Sequence, residues 1–319
     1  MTFGLFKGDR GKELLQNPAK QATIIVAKDG SGDTDDIHEA IKMLSAEGGL
    51  IQIRDGTYKI NSTIDIAINN VSIFGSGFGT VLDAGLMNDK VIDISRISYF
   101  CILKDFKIIG DVTAGALQTG IYNSGGDGML IQNVFIKNVG HQGIHHQGYD
   151  GRIINNFIQD CTHDGIEIAE NRNIISHNYI DDSGNNGITL DGVDDVVCNN
   201  NIIKSSGNYN IGCEGIDNTT IIGNVLYNPT NANIDMDGNY RCVVVGNEID
   251  NGDSGIIMDD MDESIVSNNH INSMDTYGIH IQADVSNSLI TGNVVTRCTT
   301  TEILNQSGSA VVNNNLTFH

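Results

Sequence analysis

Four carboxylates, Asp191, Glu214, Asp237 and Asp259, recur along the chain at intervals of 22 or 23 residues. Neither a helix turn nor strand alternation has so long a period. It belongs to a structural repeat that returns the same group to the same place. Like charges on adjacent strands repel, so such a column has three readings. It is a solvated acidic face, a set of oxygen ligands for Ca²⁺ or another divalent cation, or a catalytic pair in which one carboxyl stays protonated. Close in sequence lie further carboxylates, Asp164, Glu167 and Asp235, and the histidines His141, His145, His163 and His280. Imidazole beside carboxylate serves general acid–base chemistry or metal binding. No fixed ligand spacing singles out zinc, and plain polar surface is the simpler alternative.

The elements that must hold these residues are written in two registers. Asn133, Asn156, Asn178, Asn201, Asn224, Asn247, Asn269, Asn293 and Asn315 are separated by 22 to 24 residues. Isoleucines at 121, 144, 166, 188, 211, 234, 256, 279 and 303, most of them preceded by glycine, keep the same period. One repeat reads Gly165-Ile-Glu-Ile-Ala-Glu, Asn171-Arg, Asn173-Ile-Ile-Ser-His-Asn, Tyr179-Ile-Asp-Asp, Ser183-Gly-Asn-Asn. That is three short strands and three turns. Parallel strands of successive coils stack about 4.8 Å apart, so every position becomes a column. The asparagines fall between the second and third strands, where an amide tolerates a left-handed backbone and can donate and accept along a stack. This column occurs in every coil and is structural.

With the isoleucines inward, alternation sets two outward columns on the first strand. One runs Ser124, Gln147, Ala169, Asp191, Glu214, Asp237, Asp259, Gln282, Gln306. The other contains His145, Glu167 and Asp235, while His146 points inward.

Composition narrows the partners. The net charge is −22, with 40 Asp and Glu against 18 Lys and Arg. Such a surface repels nucleic acid, and an acidic glycan would need bridging cations. No stretch approaches the roughly 18 apolar residues of a membrane span, and Met1-Thr-Phe-Gly-Leu-Phe-Lys lacks the pattern of a secretory signal, so localisation stays open. The six cysteines form no CxxC pair, and Cys198 and Cys213 read as small buried thiols.

Residues 1–22 read as a polar leader with a short helix around Lys12 to Gln16, and 23–60 as a cap: a strand from Thr23, a helix, then a first coil. Asp36 and Glu39 form a capping-box pair, and Ile37, Ala40, Ile41 and Leu44 give one apolar face. Such a helix suits a lid over the open end of a strand stack. Residues 61–319 are the solenoid.

The run Gly48-Gly-Leu-Ile-Gln-Ile-Arg-Asp-Gly-Thr-Tyr58, followed by Ile73-Phe-Gly-Ser-Gly-Phe-Gly-Thr-Val-Leu-Asp-Ala84, resembles the cap and first coils of the pectin-lyase-like superfamily. The resemblance implies an all-β fold: a right-handed, single-stranded parallel β-helix with an N-terminal amphipathic capping helix. Val26-Ala-Lys-Asp-Gly-Ser-Gly-Asp33 is similar to the opening of pectin methylesterases, without that family's downstream catalytic motifs. Gly143-Ile-His-His-Gln147 and His163-Asp-Gly-Ile-Glu-Ile168 are similar in layout to mannuronan C5-epimerases, but His145, His146, Gln147 and Ala169 stand where that family places its catalytic carboxylates and proline. Thr162-His-Asp-Gly-Ile-Glu-Ile168 resembles a polygalacturonase-type coil with Asp164 at the first catalytic aspartate; Asn185-Asn186 and Tyr209 replace the other elements.

The resemblance implies a carbohydrate-active protein laying a polysaccharide along the first-strand groove between Tyr122 and His280. For a glycosidase-like mechanism the candidates are Asp164, Glu167, Asp191, Glu214, Asp235 and Asp237, with His145 and His163 tuning protonation. Tyr122, His141, Gln147, Asp259, His280 and Gln282 are candidate glycan contacts. Asp191, Glu214, Asp237 and Asp259 are candidate Ca²⁺ ligands, and no other cofactor is required. A lyase or epimerase is the enzymatic variant, although first-strand Lys and Arg are lacking. The alternative is a non-catalytic structural, adhesive or virion-associated β-helix stabilised by cations, with a homotrimer as the assembly such folds adopt.

Overall fold

Each strand pairs in parallel with its counterpart one coil away, which follows from a chain that repeats its hydrophobic pattern once per turn of a solenoid. The structure, a computed structural model, describes residues 23–318; the expected leader lies outside them. The first strands of the coils form an 11-stranded parallel sheet from Ile64–Ile66 to Thr301–Asn305. Second and third strands form two further stacks, joined into one sheet by the long strands Ile102–Ile109 and Leu130–Val139, which run on through the corner between them. The strand Thr23–Val26 pairs with Gly49–Ile53, and that with Val71–Phe74, so the first residues described already belong to the stack. Among the described residues no helix is long and apolar enough to cross a membrane.

Three inward columns make the core. Ile166, Ile188, Ile211, Ile234, Ile256 and Ile279 on the first strands are fully buried. Ile175, Cys198, Ile221 and Val244 stack from the second strands, and Ile180, Ile203, Leu226 and Ile249 from the third. Each such side chain contributes about 1.5–3 kcal/mol of burial. All six cysteines are buried free thiols; burial pushes Cys198 up to about 12.

The glycine before most of the register isoleucines has a steric cause. A Cβ on Gly165 would sit 2.5 Å from Ile180 Cγ2 and 2.6 Å from the carbonyl oxygen of Gly187, which accepts the Ile166 N–H at 2.9 Å. The carbonyl cannot retreat without losing that bond. Gly165→Ala is therefore expected to cost about 1–3 kcal/mol, read as a lower urea midpoint, whereas Gly308→Ala, with nothing within 4 Å, leaves the midpoint unchanged.

The asparagine column is real but shorter, and its backbone logic is shifted by one residue. Asn156 Nδ2 donates to Asn178 Oδ1 at 3.0 Å, and the same link continues through Asn201, Asn224, Asn247, Asn269 and Asn293 to Asn315. Asn133 is not a member: Val134 occupies the equivalent place and its N–H donates to Asn156 Oδ1. The left-handed residue is the one before each ladder asparagine, as at Asn155, His177 and Asn200. Asn133 itself has φ 52° and belongs to that position.

At the N-terminal end, α1 (Ile37–Met43) buries Ile37 and Ala40. Asp36 Oδ1 caps it, accepting from His38 N at 2.7 Å and Glu39 N at 3.2 Å. The capping box is half closed: Glu39 turns to Lys42 Nζ at 2.8 Å, and the Asp36 N–H goes to Thr34 Oγ1 instead.

Candidate functional site

The acidic column forms as expected, with Asp191, Glu214, Asp237 and Asp259 in direct register across four coils. Each is the last strand residue before a corner, and the next residue is left-handed: Gly192 (φ 60°), Gly215 (φ 59°), Gly238 (φ 68°) and Asp260 (φ 44°). The corner thus holds the carboxylates at the rim of the sheet, where Asp191, Glu214 and Asp237 are exposed.

Beside this rim is a cleft of about 240 Å³. The hollow exists because of Gly212. The outward column next to the rim reads Glu167, Thr189, Gly212, Asp235 on consecutive coils, and the missing side chain at Gly212 leaves a gap between its neighbours. A Cβ there would lie 2.8 Å from Asn186 Nδ2 and 3.2 Å from Tyr209 Cδ2, the groups that wall the gap. Tyr209 is set by a relay through three coils: its N–H donates to Asn186 Oδ1 at 3.1 Å, and the Asn186 N–H donates to Asp164 Oδ1 at 2.9 Å. Asn186 Nδ2 donates to Thr189 Oγ1 at 3.0 Å, completing the wall.

Asp235 lies in this cleft, partly buried and hydrogen-bonded by the Tyr209 hydroxyl. Burial, and then the charges of Asp237, Asp259 and Glu214, raise its carboxyl to about 6, against the opposing effect of the tyrosine bond. Burial and the same aspartate push the Tyr209 phenol upward. The cleft therefore contains one carboxyl that keeps its proton up to about pH 6, with exposed carboxylates on the adjoining column.

The histidines gather one to three coils away. His145 packs against Tyr122, with ring centroids 4.7 Å apart, and Lys90 Nζ lies 4.0 Å from the Tyr122 centroid. His145 Nδ1 is 3.4 Å from Glu167 Oε2, which accepts from Gln142 Nε2 at 2.5 Å. Burial lowers the His145 pKa despite the pull of Glu167. His141 stacks on His163 at 4.7 Å, and His163 Nδ1 is 2.9 Å from Asp164 Oδ2. His146 faces inward against Asn123, and burial drops it to about 4, which keeps it neutral. Asp164, a candidate catalytic group by sequence, gives Oδ1 to Asn185 and Asn186 and so holds a corner.

The expected single groove from Tyr122 to His280 is divided. Gln147 accepts from the Tyr122 hydroxyl at 3.2 Å and lines a separate hollow of about 420 Å³ with Arg96, Ser124, Tyr149 and Glu170. His280 lies two coils beyond Asp235, cut off by Ile257 in the same column, and contacts Tyr277 and Gln306 instead; Gln282 is on that side as well. Among the described residues, the one group of three or more His, Cys, Asp or Glu side chains whose ligand atoms come within 4.8 Å of one another is His163, Asp164 and Glu167, which contains none of the rim carboxylates. Column register keeps the rim carboxylates a strand spacing apart, each on its own corner. Tyr209, Gly212, Asn186 and Thr189 were missed as site residues; a glycine breaking an otherwise side-chain-bearing outward column was the available signal.

The model of the right handed beta helix region matches residues 92–215 and 187–319. Pectinesterase 2 of Citrus sinensis is 40% identical over 81 residues, which cover 24% of this chain and 15% of that protein. The chain spans less than a quarter of the length of the curated relatives it matches. A mannuronan C-5 epimerase A-module from Azotobacter vinelandii superposes with a TM-score of 0.65 at 13% identity, covering 87% of this chain and 94% of the other. The enzymatically active domain of tailspike protein 2 from bacteriophage CBA120 gives 0.68 at 14% identity, covering 85% and 48%.

Proposed function

This chain belongs to the right-handed parallel β-helices of the pectin-lyase-like superfamily, and from that premise we propose that it binds a polysaccharide across its first sheet and hydrolyses it at Asp235. The observation that carries the reading is the Asp235 carboxyl, raised to about 6 in the Gly212 cleft beside exposed carboxylates. A protonated carboxyl at that place is a general acid. Its proton passes to the glycosidic oxygen as the C1–O bond breaks, and Glu214 or Asp237 supplies the second carboxylate, as nucleophile or as base toward water. Tyr209 orients the acid. The net charge of −22 favours a neutral glycan. Relatives named as a pectinesterase and a mannuronan epimerase support a glycan substrate.

The test is release of reducing ends from a panel of neutral polysaccharides by the full chain, with Asp235→Asn in parallel. No product from any polysaccharide, or equal product from both proteins, would overturn the reading. A second reading, a non-catalytic glycan-binding or structural β-helix, draws on the nearly constant coil length of 22 to 24 residues, which leaves the cleft without long walls.

A further inference from the structure

His163, Asp164 and Glu167 lie on one coil, and a ligand atom from each comes within 4.8 Å of the others. Proximity alone would make this a polar cluster; the bonding of the remaining atoms says more. Asp164 is 2% exposed. Its Oδ1 is held by Asn185 Nδ2 at 2.8 Å and Asn186 N at 2.9 Å, which leaves Oδ2 turned to His163 Nδ1 at 2.9 Å. That ring nitrogen is buried, yet its direction makes no hydrogen bond with any partner. Glu167 repeats the pattern: Oε2 is tied by Gln142 Nε2 at 2.5 Å, and Oε1 has no donor among the described residues. His145, against the same Glu167, has its buried Nε2 unpartnered as well. Each carboxylate has one oxygen fixed by amide donors, and the second oxygen of Asp164 lies beside the His163 ring nitrogen that makes no hydrogen bond, an arrangement of ligands with outer-sphere support.

We propose that His163, Asp164 and Glu167 bind one divalent transition-metal ion, of the zinc or manganese class, through one ring nitrogen and two carboxylate oxygens. Ligand atoms about 2.0–2.2 Å from an ion lie about 3–4 Å from one another, so the present spacing needs only a small contraction. The imidazole distinguishes the site from a calcium site, which takes oxygen ligands throughout. Three protein ligands leave coordination positions open, and His163, with 43% of its side chain exposed, puts the group at the surface of the sheet. Water, or neighbouring hydroxyls of a sugar, can fill them. The site is on different coils from Asp235, and its occupancy is measurable whatever the fate of the chemistry proposed there.

The experiment is calorimetric titration of the chelator-treated full chain with Zn²⁺, and with Co²⁺ as a visible-absorption probe. The expected result is one ion per chain, with cobalt ligand-field bands. His163→Ala and Glu167→Gln should each weaken binding at least about tenfold. The double variant Asp191→Asn, Glu214→Gln should bind as the unaltered protein does, and circular dichroism should show every variant folded. Absence of stoichiometric binding, unchanged affinity in folded His163→Ala and Glu167→Gln, or displacement of zinc by equimolar Ca²⁺ would overturn the proposal.

Discussion

Asp235→Asn is expected to lower glycan cleavage by about 10²–10⁴-fold while leaving the fold intact, because a positioned proton donor contributes in that range. The unaltered protein should lose activity as pH rises through about 6, where the Asp235 carboxyl gives up its proton. The Asp235→Asn protein keeps the shape of the site but has no proton to give there, so its residual rate should lack that limb. A rate insensitive to pH between about 5 and 7.5 in the unaltered protein would contradict the role.

The same residue makes a second, opposite prediction on stability. Burial raises the folded-state pKa of Asp235 above that of the unfolded chain. The folded state therefore holds the proton more tightly, and its advantage is complete below the unfolded pKa and lost as pH rises through about 6. Above that pH the protein carries a charge that burial and its neighbours oppose. Asp235→Asn removes the ionisation and keeps an oxygen for the Tyr209 hydroxyl. Its melting temperature should exceed that of the unaltered protein at about pH 8 and approach it at about pH 4. A site that costs stability at neutral pH is what a functional carboxyl produces; a rim carboxylate such as Asp191, exposed at its corner, has no comparable burial cost.

How much of this is readable in the sequence alone follows from what repeats. The isoleucine register and the Asp191-to-Asp259 column are legible because successive coils restate them, and the strand register agrees with both. Asn133 falls one residue away from its expected place because the long strand Leu130–Val139 hides the corner that the sequence pattern marks elsewhere. The cleft is much harder to read. It arises from the absence of a side chain at Gly212, and its wall, Tyr209, stands in a corner outside any strand column. Asp235 is one acid–base candidate among several in the sequence, and only its burial against Tyr209 sets it apart. The His163, Asp164 and Glu167 group has no regular spacing, since its order comes from amide donors on neighbouring coils: Gln142, Asn185 and Asn186.

The largest stability effect should come from the middle of the asparagine ladder, in Asn224→Ala. Asn224 Oδ1 accepts from Asn201 N at 2.9 Å and Asn201 Nδ2 at 3.0 Å, while its Nδ2 donates to Asn247 Oδ1 at 3.0 Å and to the Cys198 carbonyl at 3.1 Å. Alanine removes all four bonds. Asn201 Nδ2 keeps its bond to the Ile175 carbonyl, and Asn247 Oδ1 still accepts the residue 224 N–H. The Asn201 N–H and the Cys198 carbonyl lose these side-chain partners within the core. A buried polar group left unsatisfied costs about 1–3 kcal/mol, so the loss of the Asn201 N–H acceptor alone is a sizeable share of a typical domain's stability. In a solenoid each coil is supported mainly by its neighbours, so a break at the centre uncouples the stack on both sides. Asn315→Ala, at the last rung, removes the acceptor for Asn293 and its own bond to the Ile290 carbonyl where the chain is half-buried, and should cost less. Urea midpoints for the two variants should therefore differ, with Asn224→Ala the lower and its transition broadened by loss of cooperativity. Equal midpoints would mean that the ladder only fills space, and that its amides contribute nothing beyond the volume they occupy.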